Sequence, residues 1–255
     1  MFSALAMTKY IIPKFIPWEA LFICLILFST PALAYNIWLL PPQELQVSQS
    51  GTALLGEGLR YPTSSKALAT NDINSIWLIT PDNHRMPLTL GSVKKRATQI
   101  DFTPTTPGIY VIAVSSNVET NKSGSTNRSQ YAKTLVRVGD NNNGFFGTPV
   151  GLDYEIVPMA NPFTLRMGDQ LPVQVLYKGK PQVNAWVRWQ SNKPVPSDQM
   201  GLDGITRADN DGKATVPINA TGPIMIHVTH MPPKSDGIHQ TLRTTLTWFM
   251  PARKI

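Results

Sequence analysis

Of the side chains able to do chemistry, histidines stand out: His84, His227, His230 and His239 are the only four, and the single cysteine, Cys24, sits in an apolar run near the start of the chain. The last three fall close together on one predicted hairpin. Neutral imidazole is a good ligand for nickel, cobalt, copper or zinc, so His227, His230 and His239 are the candidate metal residues. Strand alternation limits how they can meet. In a strand over 224–231, Ile224, Ile226, Val228 and His230 share one face, while Met225, His227, Thr229 and Met231 share the other. His227 and His230 therefore reach one site only through a bulge. His239 opens the next strand, whose core face is Leu242, Thr244, Leu246 and Trp248, and it shares the opposite face with His227, within diagonal reach across the hairpin. The competing reading is one hydrogen-bonded rim histidine and two solvated ones.

The remaining motifs are weaker. Asp209-Asn210-Asp211-Gly212 has the flavour of a calcium loop, but Arg207 and Ile218 occupy the positions where the template needs an acidic residue and a glutamate. A hairpin turn fits it better. Lys94-Lys95-Arg96 is the one basic run, too short for a nucleic-acid surface and read as a solvated turn. Gly-x-Ser-x-Gly, His-Glu-x-x-His and phosphate-cradling glycine loops are all missing from the sequence. No catalytic residue is assigned and a non-enzyme is expected.

The elements that must position these residues are short. The 255 residues are 42% hydrophobic and 15% charged, with 23 basic against 16 acidic side chains and a net charge of +7, which excludes disorder as the main state. The 22 prolines and 17 glycines punctuate runs of Ile, Val, Trp, Tyr and Thr, so strands joined by turns are expected and helix is not. Strands are predicted at 36–40, 75–80, 98–102, 108–115 and 130–138, and again at 152–158, 170–177, 184–190, 213–218, 224–231 and 240–249. A mobile loop is expected at 115–129 and an interdomain linker at 139–144. Trp77 and Trp248 read as core; Trp186 and Trp189, on opposite faces of one strand, read as one exposed and one buried.

Residues 1–34 read as a signal peptide. Lys9 and Lys14 give a basic start, an apolar run covers 20–28, and Ala32-Leu33-Ala34 is a small-x-small cleavage site before Tyr35. A run of about nine residues is short of the roughly 20 that span a bilayer. The expected mature chain starts at Tyr35, has no transmembrane segment and no cysteine, and resides in the periplasm.

Leu176-Tyr177-Lys178-Gly179-Lys180-Pro181, Ala185-Trp186-Val187, Asp209-Asn210-Asp211-Gly212-Lys213-Ala214 and Val228-Thr229-His230-Met231, in that order, resemble a transthyretin-like or carboxypeptidase-regulatory-like module. Ile37-Trp38-Leu39, Tyr131-Ala132-Lys133 before Val136-Arg137-Val138-Gly139, and Glu155-Ile156-Val157-Pro158 with Asn161-Pro162 narrow it. Together they resemble domain-of-unknown-function family 4198, whose members are described as periplasmic components linked to nickel or cobalt uptake. Pattern and resemblance give an all-β fold: two antiparallel immunoglobulin-like/transthyretin-like β-sandwich domains, 35–140 and 145–251, after the signal peptide.

The resemblance implies a non-catalytic accessory of transition-metal uptake, with a membrane uptake system as partner and no nucleic acid. One departure bears on it. The family's mature chain commonly begins with a chelating His and an acidic residue, where this chain has Tyr35 and Asn36, neither a good nitrogen ligand. The alternative is a metal-free structural or protein-interaction module of the same fold.

Overall fold

The computed structural model describes residues 35–193 and 201–252; the expected signal peptide lies outside them. The first half folds as β1 (Asn36–Leu40), β2 (Gly51–Gly58), β3 (Lys66–Ala67), β4 (Ile73–Ile79), β5 (Arg85–Pro87), β6 (Val93–Lys94), β7 (Ala97–Phe102), β8 (Gly108–Ser116), β9 (Glu119–Thr120) and β10 (Thr126–Val138). The second half adds β11 (Tyr154–Pro158), β12 (Gln170–Tyr177), β13 (Lys180–Pro181), β14 (Trp186–Ser191), β15 (Gly204–Arg207), β16 (Lys213–Pro217), β17 (Gly222–His230) and β18 (His239–Met250). A three-residue 3-10 turn, Thr70–Asp72, is the only helical element among the described residues. None is long and apolar enough to cross a membrane.

The strands form three layers. The middle one is a sheet of nine strands in the order β15-β14-β17-β18-β10-β8-β4-β5, with β9 beside β10. A sheet ordered β1-β2-β7-β6, with β3 on β2, packs on one face. Alternation sends Tyr110, Ile112 and Val114 of β8 and Ala132, Val136 and Val138 of β10 into that core, against Ile37, Leu39, Ala53, Leu55 and Ile100. The opposite face, through Val111, Leu135, Val187, Ile226, Leu246 and Trp248, packs on the small sheet of β11, β12, β13 and β16. The fold is all-β and sandwich-like, as expected.

Where the two halves meet, the pairing is not antiparallel. β10 and β18 run parallel, from Thr126 opposite His239 to Thr134 opposite Thr247. This seam makes one middle sheet out of strands from both halves. Both faces of β18 are consequently covered, and its polar face is buried along with its apolar one: Thr245 and Thr247 are 1% and 0% exposed. Their hydroxyls have a task. β1 is the edge of its own sheet, and Thr245 and Thr247 donate to the carbonyls of Ile37 and Leu39 at 3.0 and 2.6 Å, satisfying an edge that has no neighbouring strand.

Two expectations change here, and the two expected turns hold. The stretch read as a mobile loop at 115–129 contains a hairpin of β9 and β10, with Asn127 facing Thr120 and Arg128 facing Glu119. Segment 139–144 is tied down: Asn143 O accepts from Ile109 N at 2.7 Å, Asn142 O from Asn161 Nδ2 at 3.0 Å, and Leu45 O from Gly139 N at 2.9 Å. The basic run is a tight turn from β6 to β7, with Lys95 and Arg96 at φ of 49° and 62°. Asp209 is a turn residue, its Oδ1 accepting from Asp211 N and Lys213 N.

Candidate functional site

Pairing of β17 with β14 and β18 fixes where the candidate histidines lie. His227 stands opposite Arg188 on one side and Thr245 on the other, facing β1. It is 8% exposed, and Asn36 Nδ2 lies 3.4 Å from its Nδ1. Burial, with Arg188 and Arg243 nearby, drives its pKa down to about 3, so the ring is neutral at every physiological pH. Its Nε2 is buried without a hydrogen-bond partner.

His230 points to the other face, between Tyr177 and Tyr154, with ring centroids 5.0 and 5.7 Å away. Burial lowers its pKa as well. His239 is exposed at the start of β18. The residue facing His227 is Thr245, and from Thr245 back to His239 is roughly 20 Å of strand. The diagonal approach expected for His227 and His239 is therefore not made, and His230 is separated from both by the sheet itself. The three do not fit one ion. Among the described residues, no group of three or more His, Cys, Asp or Glu is placed to hold a metal.

What does surround His227 is a polar cluster at the entry to β1. Gln130 Oε1 accepts from Ile37 N at 3.1 Å, its Nε2 reaches Glu57 at 3.5 Å, and Arg243 donates to Tyr35 O at 2.5 Å. Arg128 pairs with Glu119 and lies 3.6 Å from Glu57. These groups hold the first residues of β1 on the middle sheet.

A second buried constellation was hidden in two separate motif pieces. Lys133 and Glu155 form an ion pair at 2.6 Å with side chains only 1% and 2% exposed. Burial pulls the lysine pKa down and the carboxylate opposes it. Glu155 also accepts from Val150 N at 2.9 Å and Gly151 N at 3.1 Å. It thereby fixes the segment that precedes β11 against β10.

That segment is one wall of a groove of about 440 Å³. Cover on this face of the middle sheet runs out along β4: Ile79 is buried in the core shared with the small sheet, whereas Trp77, two residues back on the same face, is not. Trp77, read from sequence as core, lies there 37% exposed, whereas Trp248 is fully buried as expected. Trp77 faces Ala113 across the strands, and Ser75 faces Ser115 with 2.8 Å between hydroxyls. Tyr131 and Asp153 line both this groove and an adjoining hollow of about 220 Å³. Burial and the neighbouring Asp153 push the Tyr131 pKa up to about 12, so its phenol stays protonated. Trp186 is exposed, with Arg207 5.2 Å over its ring, and Trp189 is buried, as their spacing implied.

A family model described as Domain of unknown function (DUF4198) matches residues 32–231. No curated protein matches the chain at a significant level. Among solved structures, a DUF4785 family protein from Legionella pneumophila is 9% identical, with 74% of this chain and 48% of that one covered and a TM-score of 0.28. Trypsin-activated α2-macroglobulin from Escherichia coli is 12% identical over 88% of this chain and 16% of that one, at a TM-score of 0.27. The native conformation of the E. coli protein gives 13%, 86%, 14% and 0.26. The chain spans less than half the length of each.

Proposed function

We propose, for a chain that belongs to the DUF4198 family, a non-catalytic accessory role in the periplasm, as an interaction module that works without a resident metal. One observation carries the reading: His227 and His230 leave β17 on opposite faces, and each is taken up by the fold on its own side. An accessory that hands on an ion needs several donors converging on one open position. Here the donors diverge, and Tyr35 and Asn36 stand where a chelating terminus would be. Export rests on the basic start, apolar run and Ala32-Leu33-Ala34 site of residues 1–34.

A second reading, transient nickel or cobalt binding in partnership with a membrane uptake system, is favoured by the unpartnered Nε2 of His227. Calorimetry on the exported, tag-free protein with nickel, cobalt, copper and zinc separates the two. The interaction-module reading expects no binding tighter than about 100 μM. Tighter binding that His227→Ala abolishes would overturn it in favour of the metal.

A further inference from the structure

The groove beside Trp77 combines three features that a merely uncovered sheet end does not need. The first is an aromatic platform: Trp77 is 37% exposed, and its cross-strand neighbours are Ala113 on β8, too small to shield the indole, and the exposed Pro87 on β5. The second is a rim of short, uncharged hydrogen-bonding groups. Ser75 and Ser115 share a bond of 2.8 Å, and Asn74 Nδ2 donates to Ser115 at 3.2 Å. The third is a fixed wall: Glu155, itself locked to Lys133, holds the backbone at Val150 and Gly151. The site is therefore already formed before anything binds, which spares the ordering cost of association.

Chemistry narrows the ligand. Arg85 and Asp153 are the charged side chains of the lining, one of each sign, so the groove selects neither anions nor cations. A purely apolar ligand would cover Trp77 but strand the serine and asparagine groups, costing hydrogen bonds to water. A ligand with an apolar flat face and a rim of hydroxyls satisfies both. The volume of about 440 Å³ lies within the usual span of small-ligand sites, about 300–1,000 Å³. We propose that this groove binds a neutral carbohydrate, with a sugar ring stacked on Trp77 and its hydroxyls bonded along Asn74, Ser75 and Ser115, the chain continuing past Tyr131 and Asp153 into the adjoining hollow. The proposal does not depend on the reading of the histidines.

The test titrates the exported protein with neutral cello-, malto- and chito-oligosaccharides and with an acidic polygalacturonate oligomer as the charged counterpart, by calorimetry at low and high salt. At least one neutral series is expected to bind tighter than about 1 mM, with an affinity indifferent to salt. Trp77→Ala should weaken it at least about tenfold, the scale of a lost aromatic contact, and Trp77→Phe should retain most of it. Asn74→Ala, at an exposed position that leaves the core untouched, should weaken binding about threefold or more and keeps the test open if Trp77→Ala fails to fold. Absence of binding by every neutral series, binding unchanged in both Trp77→Ala and Asn74→Ala, or salt-sensitive binding of the acidic oligomer alone overturns the proposal.

Discussion

His227 shows how much a single buried titratable group can shape pH behaviour. Its folded pKa is lowered to about 3, while the unfolded ring titrates near 6.5. Above about pH 7 the ring is neutral in both states and contributes no slope. Below about 6.5 the unfolded chain takes up a proton that the native ring refuses, so stability falls by up to about 1.4 kcal/mol per pH unit until the folded pKa is reached. His227→Gln should flatten part of this decline between about pH 6.5 and 4 in melting curves, the part due to His230 persisting. An unchanged slope would show that the ring is not buried as described. The sequence anticipated the separation of His227 from His230, because alternation along one strand is a local property. It did not anticipate the burial of His227. The face opposite Leu242 and Leu246 reads as polar, and only a second covering sheet, beyond the reach of local pattern, makes it interior. Trp77 fails in the converse way: flanked by Ile76 and Leu78 it reads as core, yet on its face of β4 only Ile79 is buried in the shared core, and Trp77 lies exposed beside it.

At the scale of elements, the pair Lys133–Glu155 decides how β11 and its leading segment attach to the middle sheet. Removing one partner leaves a charge buried without compensation, at a cost of about 3–5 kcal/mol. Replacing both by apolar residues removes that penalty but leaves the N–H groups of Val150 and Gly151 without their carboxylate acceptor, at a cost of about 1–3 kcal/mol each. We therefore expect Glu155→Leu to be severely destabilised in urea denaturation, and Lys133→Met with Glu155→Leu to recover only part of the loss. Full recovery would mean that the carboxylate does nothing for the Val150 and Gly151 backbone. Both residues belong to motif pieces visible in the sequence, but which pieces touch was not. Strands rich in Val, Ile and Tyr were legible, with β1 and β12 found to the residue. β2 was not: its GTALLGEG sequence has no aromatic residue and only one β-branched residue, Thr52, to mark it as a strand. A Cβ at Gly56 would come within 2.6 Å of the Trp38 ring, so that glycine makes room for an indole and does not end a strand.

Across the whole molecule, the two sandwiches share their middle layer. Ile109, Val111, Ala113, Tyr131 and Leu135 of the first half contribute to the core that otherwise belongs to the second. Cooperative behaviour should follow from that continuity. Scanning calorimetry of the protein is expected to give one transition with matching calorimetric and van't Hoff enthalpies, and two resolved peaks would show that the halves unfold independently. The sequence reading of two strand-rich halves separated at 139–144 sees the rhythm of strands and turns, which is local. It has no access to the seam between β10 and β18, which depends on register between distant segments.

That seam also sets an order of events. Thr134 donates to the carbonyl of Thr247 across 113 residues of chain, and loop closure over such a span precedes any gain from the contacts it permits. Until His239–Met250 has emerged, one edge of β10 waits unpaired and the carbonyls of Ile37 and Leu39 lack their threonine donors. β18, the last of the described strands, is thus the keystone of the first core, and a chain stopped short of it would present an open edge of the kind that recruits other chains.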